Sequence, residues 1–185
     1  KADHRKLIMN ENTAMLTSAN PHAEGSRHSN VAFKFSSPIL KDIYSAEQSV
    51  AKITKPDGSL KQQLPDRDFS NILFSNNGKI KLQYFTEGQT ALDISKELAE
   101  TGIGDKIIVS QFFLADREMI KGLKKAAKRG AEIQIILSNS KAGIPNKASA
   151  GELMKYARKH NYKINVKFFN NGEEKYHVKM LSILK

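Results

Sequence analysis

The run Lys106-Ile107-Ile108-Val109-Ser110-Gln111-Phe112-Phe113 is followed, after a helix-length interval, by Glu132-Ile133-Gln134-Ile135-Ile136-Leu137. Both stretches are short, apolar and rich in β-branched residues, as strands buried in a sheet are. The interval Asp116–Arg129 carries Ile120, Leu123 and Ala127 at helical spacing, with Asp116 as its expected N-cap and Gly130 as its stop. The same alternation continues outward. Thr90–Glu100 reads as a helix ended by Gly102 and Gly104, and Lys147–His160 as another helix. Ile80–Phe85, Ile164–Phe169 and Tyr176–Leu184 read as strands. Strands alternating with helices predict an α/β architecture with a mostly parallel central sheet flanked by helices.

Towards the N-terminus the pattern changes. Leu7–Met9 and Ala14–Leu16 flank the polar cluster Asn10-Glu11-Asn12-Thr13, which predicts a β-hairpin. Pro21–Ser29 reads as a loop, Val31–Phe35 as a strand, and Ser36-Ser37-Pro38 as the cap of a helix carrying Ile39, Leu40, Ile43, Tyr44, Val50 and Ile53. Lys55–Lys79 holds Pro56-Asp57-Gly58, Pro65-Asp66 and Asn76-Asn77-Gly78, all turn chemistry, and is expected to link two lobes. The expected division is residues 1–54, a linker 55–79, and residues 80–185.

The 185 residues carry 30 Lys+Arg against 19 Asp+Glu, a net charge of +11 with a pI near 9.7. Such a balance favours a polyanionic partner: nucleic acid, an anionic membrane surface or a phosphate-bearing substrate. The cluster Lys121, Lys124, Lys125, Lys128 and Arg129 lies on one helix and is read as a solvated face. No apolar run reaches the ~18 residues of a spanning helix. There is no cysteine, which excludes thiol catalysis and Cys-ligated zinc.

Two short motifs echo each other across the chain: His4-Arg5-Lys6 near the start and His177-Val178-Lys179 near the end. On a strand, period two puts the His and the Lys of each on one face. An adjacent ammonium favours the neutral, nucleophilic imidazole, and the same Lys can hold an anionic phosphoryl oxygen. Attack on a phosphodiester requires those two groups.

The neighbours sharpen the pattern. His4 to Asn20, with Thr17-Ser18-Ala19-Asn20 and then His28-Ser29-Asn30, resembles the H-x-K-x4-D…G-S-x-N motif of the phospholipase D superfamily. The second half resembles bacterial phospholipase D-like and cardiolipin synthase-like proteins. It does so at Gly104-Asp105-Lys106-Ile107, Ala126–Gly130, Gly143–Lys147 and Gly172–Met180. The resemblance implies a phosphodiesterase that cleaves or transfers the phosphatidyl group of phospholipids through a phosphohistidine, with no metal and no cofactor. It implies two similar lobes, each giving one H-x-K motif to a shared site. His4 and His177 would be the nucleophile and acid, and Lys6 and Lys179 would hold the phosphate. Ser18, Asn20 and Glu174 stand where relatives carry residues that bind the phosphate or support the site; Glu11, in the hairpin, and His28, in the loop Pro21–Ser29, are further candidates for that role.

The chain departs from the family pattern at several positions. Glu11 stands at the first motif's Asp position and Thr17 replaces the usual Gly. The hairpin is one residue shorter than the family spacing. Leu184 stands at the second motif's Asp position. The chain is therefore expected to be a window across two lobes of a longer protein, with the flanking parts of that protein as partners; either the second motif is irregular, with its acid later in the chain, or it is completed beyond Lys185, where a second G-S-x-N would lie. The expected substrate is a phospholipid or another phosphodiester, at an anionic membrane surface in a bacterium. The alternatives are a nuclease of the same fold acting on DNA, and an inactive fragment that binds lipid or nucleic acid.

Overall fold

A computed structural model describes residues 6–20, 23, 27–52, 57, 59, 63–74, 80–86, 88–139, 144–170 and 174–185. In chain order its elements are β1 (Leu7–Met9), β2 (Ala14–Thr17), β3 (His28–Ser29), β4 (Ala32–Phe35), α1 (Leu40–Ala51), α2 (Gln89–Glu100), β5 (Lys106–Gln111), α3 (Arg117–Lys128), β6 (Glu132–Ser138), α4 (Ile144–His160), β7 (Ile164–Phe169), β8 (Lys175–Tyr176) and β9 (Lys179–Leu184). The chain forms two compact units. The first takes Lys1–Thr17 and Ala32–Thr86, the second Ser18–Val31 and Glu87–Lys185. This division differs from the lobes expected from sequence, because the segment after the hairpin belongs with the C-terminal half.

In the first unit β1, β2 and β4 form an antiparallel sheet, with Leu7 opposite Leu16 and Ala14 opposite Phe35. The hairpin turns where the polar cluster predicts. Asn10 Oδ1 accepts from the backbone N–H groups of Asn12 and Thr13, both at 2.9 Å, so the side chain satisfies what the ladder leaves open. Helix α1 buries Leu40 and Ile43. It starts later than its sequence suggests: Ile39 is the N-cap and has no side-chain cap. Ser36 Oγ instead lies 2.6 Å from the carbonyl oxygens of Asn12 and Leu73, which tie it to other segments. Ile80–Phe85, expected as a strand, is in no sheet, and Ile80 and Phe85 are exposed. Alternation gives a segment two faces but does not supply a backbone partner.

The second unit holds a four-stranded sheet in the order β7-β6-β5-β9. β5, β6 and β7 run parallel, while β9 runs antiparallel beside β5. The sheet is thus mixed, and with the antiparallel sheet of the first unit the chain is a mixed α/β protein rather than one built on a mostly parallel sheet. Alternate residues Ile107, Val109, Ile133, Ile135 and Leu137 are fully buried on one face, against Leu98, Ile120, Leu123 and Leu153 of the helices.

Helix α3 begins and ends as its sequence dictates. Asp116 accepts from Met119 N at 2.7 Å, and Gly130 takes φ +101 just past the last turn. Its basic face is partly engaged. Arg129 donates to the carbonyls of Thr101, at 2.7 Å, and of Leu98, closing the C-terminus of α2. Lys124 and Arg117 share Glu152. No helix among the described residues is long and apolar enough to cross a membrane.

Two corrections bear on the site. Tyr176–Leu184 is not one strand: β8 and β9 are separated by His177 and Val178. Residues 28–29, read as loop, form β3 and pair in parallel with β8, His28 opposite Lys175 and Ser29 opposite Tyr176.

Candidate active site

His177 stands in the break between β8 and β9, where its backbone is held from two directions. Its N–H donates to Ser29 O at 2.9 Å, and Phe112 N donates to the carbonyl of the next residue, Val178, at 2.9 Å. The adjoining strands therefore fix the residue although it belongs to neither.

Its ring is held as firmly. Nδ1 lies 2.9 Å from the carbonyl oxygen of Ser18. A carbonyl oxygen can only accept, so Nδ1 carries the proton and the lone pair of the neutral ring resides on Nε2. Lys179 Nζ lies beside the ring, 3.2 Å from that nitrogen and 3.5 Å from Nδ1. Phe112 packs against the imidazole at 5.0 Å between centroids, and Lys179 Nζ lies 5.9 Å from the Phe112 ring centre. The arrangement is an imidazole with its Nδ1 proton fixed, an exposed ammonium beside the ring, and an apolar wall.

The segment from Ser18 to Val31 completes this cage. Ser18 N donates to Val31 O at 2.8 Å, and Val31 N to Ser18 Oγ at 2.9 Å. Ser18 Oγ donates in turn to Asn30 Oδ1 at 3.1 Å, and Asn30 Nδ2 to His28 O at 3.0 Å. Ser29 Oγ donates to Glu174 Oε1. These bonds fasten the two-residue ladder of β3 and β8 and keep the Ser18 carbonyl aimed at the ring. The His28 ring lies 5.9 Å from that of His177.

A buried asparagine supports the opposite wall. Asn146 is fully buried near the start of α4. It accepts from Leu114 N at 2.9 Å and donates to Phe112 O at 2.8 Å and Ser138 O at 3.0 Å. It thereby locks the turn after β5 that presents Phe112. Lys179 pairs with Gln111, the last residue of β5, so the group lies at the carboxyl end of the parallel strands, where open α/β sheets commonly bind ligands.

Of the residues singled out from sequence, the structure brings together Ser18, His28, Glu174, His177 and Lys179. Asn20 follows on the same segment, half-buried. Lys6 precedes β1 in the first unit, its carbonyl accepting from Thr17 N at 3.1 Å. Glu11, in the hairpin turn of that unit, is ion-paired with Arg67 at 2.7 Å. His4 lies outside the described residues. Phe112, Ser29, Asn30 and Asn146 were not assigned roles from sequence. The position of Phe112 directly after a buried parallel strand was the available signal.

The family described as "Cardiolipin synthase, PLD-like domain" matches residues 94–184, a little under half of the chain and including His177 and Lys179. No match is found among curated proteins. Among solved structures the chain is similar to the crystal structure of polyphosphate kinase from Porphyromonas gingivalis, with 12% identity and a TM-score of 0.47 over 89% of this chain and 23% of that one. The chain thus spans less than a quarter of that protein's length, and the likeness is too distant to carry an argument. The family match coincides with the sheet that presents the histidine–lysine pair: residues 94–184 of this chain are similar to a PLD-like domain of the cardiolipin synthase type.

Proposed function

We propose that the protein acts as a phospholipase D-type phosphodiesterase that cleaves or transfers the phosphatidyl group of phospholipids, with His177 as nucleophile. The observation that carries this reading is the Ser18 carbonyl at His177 Nδ1, which leaves the lone pair on Nε2 beside Lys179. Nε2 attacks phosphorus and forms a P–N bond as the P–O bond to the leaving alcohol breaks. Lys179 turns its ammonium from the ring nitrogen to the equatorial oxygens, where negative charge grows. The leaving oxygen takes a proton from a second imidazole. By the family resemblance that group is His4, with Lys6 beside it, each motif coming from one of two similar lobes. Water or an acceptor alcohol then gives its proton to this imidazole and attacks phosphorus, and the P–N bond breaks. The net charge of +11 suits a substrate presented at an anionic lipid surface.

The test is release of choline from phosphatidylcholine vesicles, and formation of phosphatidylethanol when ethanol is added. Activity that falls at least ~10³-fold in His177→Ala supports the reading. Plasmid nicking without lipid turnover moves the substrate to DNA. Turnover unaffected by His177→Ala overturns the assignment.

A further inference from the structure

His28 is the second imidazole of the C-terminal unit's site, and neither H-x-K motif contains it. The register of β3 against β8 and the Asn30 side chain on its carbonyl fix its backbone. Its half-buried ring lies 5.9 Å from that of His177, the planes tilted by 45°. No described residue makes a hydrogen bond to its ring nitrogens. Packing alone needs no nitrogen there, because a phenyl ring would fill the same space. With His177 Nε2 facing phosphorus, an imidazole at this separation can place a hydrogen bond of about 2.8 Å on an oxygen of the same tetrahedral phosphate. Lys179 lies beyond His177, Lys175 opposite His28 in the ladder, and Glu174 is occupied by Ser29 Oγ. The surroundings thus favour an anion.

We propose that His28 is a further substrate-contacting residue, donating a ring N–H to a non-bridging oxygen of the phosphoryl group that His177 attacks. This rests on the phosphodiesterase reading above and adds to it a phosphate ligand absent from both motifs. The phosphate is then held from two sides within one unit, by Lys179 and by His28.

Proton NMR of the full chain, titrated with inorganic phosphate, tests this through the ring Cε1 protons of His28, His177 and His160. His160 stacks on Tyr162 at the end of α4 and serves as the reference. The expected result is that His28 and His177 shift along one binding curve while His160 stays still. His28→Phe keeps the ring volume and should weaken phosphate binding, read at His177, about threefold to tenfold, the loss of one hydrogen bond. His28→Gln, which keeps an N–H donor, should weaken it less. Unchanged affinity in His28→Phe, or a shift of His177 alone, overturns the role of His28 and leaves the phosphodiesterase reading standing. A titration that leaves His177 itself unmoved overturns both.

Discussion

Ser18 and His177 are 159 residues apart in sequence, yet the carbonyl of the first sets the tautomer of the second across 2.9 Å. An anionic orienting group would stabilise the imidazolium. A neutral carbonyl orients the ring without adding that charge. The Ser18 turn is therefore a positioning element, and it makes the site sensitive to a hydroxyl that need not touch substrate.

Ser18→Ala removes that hydroxyl. Val31 N loses one acceptor and Asn30 Oδ1 one donor. The expected cost is about 1–2 kcal/mol in urea unfolding. The rate of phosphodiester turnover should drop further, about tenfold, because the carbonyl drifts from Nδ1. A wild-type turnover rate per folded molecule in Ser18→Ala would show that the turn only supports the fold.

Asn146 uses three hydrogen-bonding directions in a fully buried position. Asn146→Ala strands those partners, and Asn146→Asp sets carboxylate oxygens against two carbonyls. Both should destabilise by about 2–4 kcal/mol, the Asp variant more at neutral pH. Thermal unfolding checks the order. If the Asp variant matches the wild type, the hydrogen-bond assignment is wrong.

Glu152 receives Arg117 at 2.7 Å and Lys124 at 2.6 Å, and these hydrogen bonds pull its carboxyl down to about 2. A depressed carboxyl stabilises the fold above its unfolded value, near 4.5, and that contribution is lost as pH falls from there towards 2. The group is partly exposed, so screening holds the contribution below about 1 kcal/mol. Glu152→Gln should lower stability slightly at pH 7 and flatten the loss between pH 4.5 and 2. Chemical denaturation at a series of pH values reads the difference.

Gly130 combines φ +101 with a close neighbour: a Cβ would lie 2.6 Å from Ile103 Cγ1. Gly130→Ala therefore strains the backbone and displaces Ile103, at a cost of about 1–3 kcal/mol. Gly104, also at positive φ but with no atom within 4 Å of a Cβ, should cost less as Gly104→Ala. Equal costs would mean that the Ile103 contact is immaterial.

What the sequence discloses and what it hides follow one physical line. Helix α3 is legible because both its ends are local: Asp116 caps within its own first turn and Gly130 breaks within its last. The hairpin is legible because Asn10 closes it within three residues. The ladder of β3 and β8 is hidden because each strand is two residues long, too short for a period, and its partners are some 147 residues apart. Ile80–Phe85 misleads for the converse reason, having the alternation of a strand while pairing with no strand among the described residues. For the site, the second H-x-K disclosed His177 and Lys179. The ring's orienting partner was hidden, because a backbone carbonyl leaves no signature in residue type.

The threading of residues 18–31 into the C-terminal unit has a practical consequence for dissecting this protein. A contiguous piece running from residue 87 to 185 would contain every position that the family match covers and would still lack the acceptor for His177 Nδ1, the partner of Glu174 and the second imidazole. Such a piece would expose one edge of β8 and let the His177 ring rotate. Restoring it calls for supplying residues 18–31 in trans, or for splicing them ahead of residue 87 through a short linker. The candidate site is a discontinuous graft, assembled from two passes of the chain.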